Sequence, residues 1–416
     1  MAIGLMSSFE LMAILLVLTA CFAWINHRFI HLPHSIGLLV MGLVASILII
    51  GAEIAVPGIV RHEDLDGLIR QADFEGTVLN GMLAFLLFAG ALHVSLDSLR
   101  SRAWTIGTMA TLGVVISTAI VGLGIWLATG ALGMPIPLPW ALVFGALISP
   151  TDPVAVLATL KEVKVPADLE GVMTGETLFN DGFGVVLFAA LVTVATGDAI
   201  EPMHIAWLFC LEALGGAMLG WLAGYIAYRA MRAIDDHPIE VLISLALVTG
   251  TYTLASRLHM SGPIAVVVAG LLVGHRGPRD ALSDQTQRYL FGFWTLIDEI
   301  LNSVLFLLIG LEVLVLRLKP EFVWLAAIAV PLALLARLVA VGGPVLILGR
   351  FRSFARGTIP VLTWGGLRGG ISVALALSLP EVPEKSAILA ATYAVVLWTI
   401  IVQGLSLRSL IRRVID

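Results

Sequence analysis

The chain has 416 residues, of which 59% are hydrophobic and 13% charged, with a net charge of −5. Ordinary soluble chains are roughly half apolar and a quarter charged, so a soluble multidomain architecture is excluded. Nothing suggests nucleic-acid binding, since no basic block interleaved with aromatics occurs.

Apolar runs of about 20 residues, the length a helix needs to span hydrocarbon, recur from end to end. The first, from Met1 to Trp24, contains no Lys or Arg. It lacks the basic start of a signal peptide and reads as a first span that is kept. Thirteen spans are expected, roughly at 9–27, 35–52, 77–95, 104–131, 139–160, 169–196, 203–229, 239–257, 261–275, 290–316, 322–349, 356–380 and 386–407. The 53–76 connection reads as an interfacial helix or loop. Cys21 and Cys210 both fall in apolar runs, which argues against a disulfide framework, and no zinc spacing is present.

Basic residues set the expected topology. Loops after odd-numbered spans carry 16 of the 24 Lys and Arg, and loops after even-numbered spans carry 6. The bias places the N-terminus outside and the C-terminus in the cytoplasm. The two remaining basic residues, Arg337 and Arg368, fall inside spans. An odd span count fits two six-helix halves, 9–196 and 239–407, of inverted topology, joined by a linking helix at 203–229. Many secondary transporters have this architecture. The linking span carries Gly216, Gly220 and Gly224 on one face, a packing or dimer surface.

Two spans are interrupted, at matching places in the two halves. Span five contains Ser149-Pro150-Thr151-Asp152-Pro153, where two prolines flank a Thr-Asp pair. Span twelve contains Gly365-Gly366-Leu367-Arg368-Gly369-Gly370. Paired interrupted segments point to a transport site. Freed carbonyls there can bind a cation, and charged side chains can offset the dipoles of the half-helix ends.

Span six supplies Glu176-Thr177-Leu178-Phe179-Asn180-Asp181-Gly182. A carboxylate at membrane depth is costly and persists with a partner or a task. Thr177 and Asp181 are four apart on one helical stripe, Glu176 and Asn180 on the adjoining one. Thr177, Asp181 and Asp152 can therefore converge on a small hydrophilic cavity whose oxygens suit a hard cation. Apolar surroundings favour the neutral carboxyl, so Asp181 holds a proton or a cation but not both. That competition is itself an exchange mechanism. Glu176 needs a neutralising partner. Arg337 is the expected one, with Arg368 the alternative, and Asn180 takes up remaining hydrogen-bonding capacity. In span ten, read as beginning near Trp294, Asp298 and Glu299 either line an inner funnel or sit at a solvated helix end. His93, at the end of span three, is an interfacial residue or a pH-sensing one. Glu212 and Glu312 have no assigned role.

The two interrupted motifs and Gly175-Glu176-Thr177-Leu178-Phe179-Asn180-Asp181-Gly182 resemble the monovalent cation:proton antiporter-1 family, which includes the NhaP-type sodium/proton antiporters. The likeness covers essentially the whole membrane region. It implies a thirteen-helix all-α fold, a homodimer, and a core domain moving against a dimerisation domain. It also implies that Asp181 binds cation and proton, completed by Asp152 and the Thr151 carbonyl, with Thr177 where many members have Ser. Glu176 and Arg337 match the family's buried pair. The Asn180-Asp181 order resembles electroneutral one-for-one members. Ala89 stands where some relatives carry Glu, a departure that bears on ion preference.

The expected function is a non-enzymatic secondary antiporter of the bacterial or archaeal inner membrane. It exchanges cytoplasmic sodium, or lithium, for external protons and needs no cofactor beyond the transported ions. Potassium/proton exchange, a cation channel and an intramembrane aspartyl protease using Asp152 and Asp181 are the alternatives. The protease lacks support, because no Gly-Xaa-Gly-Asp arrangement accompanies Asp181 and both intramembrane arginines would stay unexplained.

Overall fold

The computed structural model describes residues 8–55, 81–94, 96–152, 165–197, 202–314, 322–350 and 354–415, together with Val156 and Val163. Pro153, most of the second half of the fifth expected span, and the 53–76 connection past Ala55 lie outside them. So do several topology-setting residues, including Lys161, Lys164, Arg317 and Lys319.

Every regular element among the described residues is helical. In hydrocarbon a helix satisfies its own backbone donors and acceptors, and an open strand cannot. In chain order come α1 (Ser8–Ile25), α2 (His34–Ala55) and α3 (Leu83–Leu92). α4 (Leu96–Thr108) continues through a π turn at Met109–Gly113 into α5 (Val114–Ala131). Then follow α6 (Leu138–Ile148), α7 (Ala167–Ala195), α8 (Pro202–Arg232), α9 (His237–Arg257) and α10 (Gly262–Arg276). The last are α11 (Asp284–Glu312), α12 (Phe322–Leu348), α13 (Thr358–Trp364), α14 (Gly370–Leu377) and α15 (Lys385–Trp398). Another π turn, at Thr399–Gln403, joins α15 to α16 (Gly404–Ile415).

Among the described residues nine helical segments are long and apolar enough to cross a membrane. Within the described residues, the third, fifth, ninth and twelfth expected spans hold shorter or divided helices. α3 and α10 have 10 and 15 residues, α6 stops at Ile148, and the twelfth span is divided into α13 and α14.

Span ten starts earlier than its hydropathy indicates. The Ser283 hydroxyl accepts from the Thr286 amide at 3.3 Å and caps α11 at Asp284. Asp298 and Glu299 therefore lie about four turns inside a helix, and the helix-end alternative is corrected. Trp294 is fully buried there, with Nε1 donating to Ser244 Oγ at 2.9 Å.

The buried apolar residues form two clusters. One draws on α5, α6, α7 and α12 to α16, with α2 and the second half of α11. The other draws on α3, α4, α8, α9, α10 and the first half of α11, with Leu178 of α7. α7 and α11 contribute to both and mark the seam between them. The glycine face of α8 is used inside the chain. A Cβ at Gly216, Gly220 or Gly224 would meet Ser261, the N-cap of α10, or Ala265 or Ala269 within it, in each case with a backbone carbonyl among the atoms met.

Candidate ion site at the crossing of two interrupted helices

The two interruptions touch each other. The Asp152 amide donates to the Leu367 carbonyl at 2.8 Å, so the break after α6 is pinned to the break between α13 and α14. Pro150 cannot donate a backbone hydrogen bond, and the glycines around Arg368 have little helix preference. Both chains are thus free to bond across the crossing.

Charge compensates the severed ends. Arg368 is 2% exposed. Its Nη1 donates to the carbonyls of Ser149 at 2.7 Å and Pro150 at 2.9 Å, just past the end of α6. Its own amide donates to Thr399 Oγ1 at 3.2 Å, on the π turn between α15 and α16. The Asp152 side chain rests against Gly369, the residue before α14, where a Cβ would collide with the carboxylate. A cation thus faces the negative end of one half-helix, and a carboxylate lies at the positive end of the other.

A cavity of about 930 Å³ opens beside this crossing. Thr151, Asp152, Thr177 and Asp181 line it, together with Gly369, Gly370 and Ser372 at the start of α14. Its mouth lies where α2 and α7 begin and α3 ends, and holds His34, His93, Glu170, Thr295, Asp298 and Glu299. Asp181 is 7% exposed and meets the cavity at its inner end. Glu170, Thr174, Thr177 and Asp181 recur at helical spacing along the cavity face of α7. Glu170 and Thr174 fall outside the motifs that mark the site in the sequence, although the same periodicity contains them. So does Asn302, whose Nδ2 donates to Asp298 Oδ1 at 3.1 Å.

Four of the anticipated site residues stand behind the cavity wall. Arg337 of α12 makes a two-pronged salt bridge with Glu176. Nη1 meets Oε1, and Nη2 donates to Oε2 at 2.7 Å. Its Nε donates to the Leu362 carbonyl at 3.2 Å. Arg368 is not the partner of Glu176. Asn180 Nδ2 donates to Thr151 Oγ1 at 2.9 Å and reaches Glu176 Oε1 at 3.4 Å. Thr151 Oγ1 in turn lies 3.4 Å from Thr177 Oγ1. The buried ion pair is thereby coupled through one amide to the hydroxyls that line the cavity.

Ala89 and Gly90 also line the cavity, so α3 presents no carboxylate from those two positions. His93 Nδ1 donates to the Ala89 carbonyl at 2.7 Å, and its Nε2 lies 3.1 Å from Thr295 Oγ1.

Residues 16–413 match the family model described as sodium/hydrogen exchanger, transmembrane. The chain is similar to the Na(+)/H(+) antiporter NhaP of Pseudomonas aeruginosa, with 47% identity over 97% of this chain and 96% of that protein. It is 34% identical to the Na(+)/H(+) antiporter NhaH of Halobacillus dabanensis over 92% of each. Its fold is similar to that of the sodium proton antiporter MjNhaP1 from Methanocaldococcus jannaschii at pH 8. The TM-score is 0.76 over 98% of this chain and 99% of that one, at 20% identity.

Proposed function

The chain belongs to the sodium/hydrogen exchanger family and is a sodium/proton antiporter, not an enzyme; we propose that the exchange takes place at Asp181, where sodium and a proton compete for one carboxylate. The observation that carries this reading is the position of Asp181 at the inner end of the cavity, together with Thr151, Thr177 and Asp152. These side chains offer carboxylate and hydroxyl oxygens, the donors a hard monovalent cation takes.

Asp152 is held by the crossing itself, through its amide and its seat against Gly369. Asp181, projecting from α7, is then the group that alternates between proton and sodium. Glu176 is neutralised by Arg337 and contributes no exchanged proton. One exchangeable carboxylate supports one-for-one, electroneutral exchange, with lithium as a further substrate.

The bias of basic residues puts the cavity mouth on the cytoplasmic side. Sodium enters from the cytoplasm and is released outside, and a proton returns down its gradient. Alternating access then requires the helices around the crossing to move against the group containing α3 and α8 to α10. The seam along α7 and α11 is where that motion falls. We read the chain as two inverted halves, 9–196 and 239–407, joined at 203–229. In the cell it is a homodimer in the inner membrane, N-terminus outside.

Asp181→Asn tests the assignment. The variant should fold, elute and melt like the wild type, and show no sodium-dependent proton flux in proteoliposomes. Wild-type flux in that variant would overturn it. Repeating the assay with lithium and potassium reads the selectivity.

A further inference from the structure

The face that α11 turns to the cavity does not end where the cavity ends. Thr295, Asp298, Asn302 and Leu305 line the cavity, and their spacing of three and four residues continues through Ile309 to Glu312. On a helix these six side chains fall within an arc of about 100°. The stripe is polar at both ends and apolar between them. Leu305 and Ile309 are buried. Leu305 occupies the space a Cβ on Gly370 would need, at the first residue of α14. Asp298 stands seven residues before Leu305 and Glu312 seven after it, which puts each about 10 Å from that seal along the axis.

Glu312 is 6% exposed, on the side of the seal away from the cavity mouth. α15 brings a second polar group there. The Tyr393 hydroxyl is buried and makes no hydrogen bond, and it interacts electrostatically with Glu312. Neither residue belongs to the site around Asp181. An ionisable residue retained inside a span points to a pathway.

We propose that Glu312 is the carboxylate that receives and releases the cation on the side of the crossing opposite the cavity, with Leu305 and Ile309 as the apolar gate between it and Asp181. The inference rests on exchange at Asp181. A sodium ion leaving Asp181 toward either side then meets a carboxylate on the same stripe of α11. On the cavity side it is Asp298, and on the far side Glu312, where the Tyr393 hydroxyl adds an oxygen ligand.

The test uses the full-length protein in proteoliposomes of one fixed orientation, with sodium presented on either side. Glu312→Gln is expected to raise the half-saturating sodium concentration about tenfold on the Glu312 side, the loss of one charge-assisted contact. On the Asp298 side that concentration stays unchanged, and Glu312→Asp recovers most of the affinity. An equal change on both sides, or none, overturns the assignment. A second measurement places cysteine at the gate. In a protein with Cys21→Ser and Cys210→Ser, Ile309→Cys should react with a membrane-impermeant maleimide added on the Glu312 side while exchange runs. Absence of reaction in a protein that still exchanges overturns the gate. Both measurements keep Asp181 intact, so they fail separately from the Asp181→Asn test.

Discussion

Arg368 donates from Nη1 to the carbonyls of Ser149 at 2.7 Å and Pro150 at 2.9 Å, so the charge of one interrupted helix closes the carbonyl end of the other. α6 ends at Ile148, and carbonyls at a helix terminus have no N–H partner of their own. Arg368→Ala would leave both buried acceptors unpaired, at about 1–3 kcal/mol each. The expected outcome is a lower unfolding temperature and no exchange. Arg368→Lys keeps the charge but replaces a rigid fork with a flexible point donor; it should fold and exchange slowly. A wild-type unfolding temperature in Arg368→Ala would show that this contact does not hold the crossing together.

The salt bridge between Glu176 and Arg337 gives a different pattern. Glu176→Gln leaves a guanidinium buried without its counter-charge, which costs about 3–5 kcal/mol. Adding Arg337→Met removes the orphaned charge and should recover most of that stability, since well-packed apolar replacements of buried pairs are often neutral. Thermal unfolding of the two variants, purified, reads the difference. Exchange should persist in the folded fraction of both. If Glu176→Gln stops exchange at unchanged stability, the pair takes part in transport and is no mere brace.

Competition at Asp181 fixes a pH dependence and its sign. Protons and sodium bind the same carboxylate, so acidifying the sodium side reduces the fraction of carriers free to bind sodium. The half-saturating sodium concentration should rise as pH falls, by at most about tenfold per pH unit for one competing proton. Saturating sodium should restore the same maximal rate. Proton flux in proteoliposomes at several pH values measures both. A half-saturating concentration indifferent to pH would mean that the two ions occupy separate groups.

The interrupted helices were legible because proline and glycine act locally. Pro150 removes a donor, and the Gly365–Gly370 run has little helix preference. Arg337 could be matched to Glu176 because few intramembrane cations compete for a buried carboxylate. The start of α11 was not legible from hydropathy. Its first turns, from Asp284 to Arg288, are polar and are held by a Ser283 cap, so the apolar signal begins well after the helix does. The role of Arg368 was legible only in outline. Offsetting a half-helix dipole was foreseeable, but its bonds to Ser149 and Pro150 depend on how two chain segments more than 200 residues apart cross. The π turns at Met109–Gly113 and Thr399–Gln403 leave no compositional mark, yet the second holds the Thr399 hydroxyl against the Arg368 amide.

Gly369 separates steric from conformational effects at the site. Its φ of −126° and ψ of −158° lie in the extended region open to any L-residue, so Gly369→Ala introduces no backbone strain. The added methyl would instead strike the Asp152 carboxylate and push it from its seat at the start of α14. The expected result is a protein that folds and melts close to the wild type but exchanges poorly, with the half-saturating sodium concentration raised. Gly220→Ala makes the contrast. Its methyl would press on the Ala265 carbonyl at the contact of α8 with α10, far along the chain from the crossing, and overpacking of that kind costs about 1–3 kcal/mol. Gly220→Ala should lower the unfolding temperature and leave the sodium dependence of the surviving protein unaltered. If Gly369→Ala exchanges with wild-type sodium dependence, the position of Asp152 against α14 does not matter to cation binding, and the site reduces to Asp181 with the hydroxyls of Thr151 and Thr177.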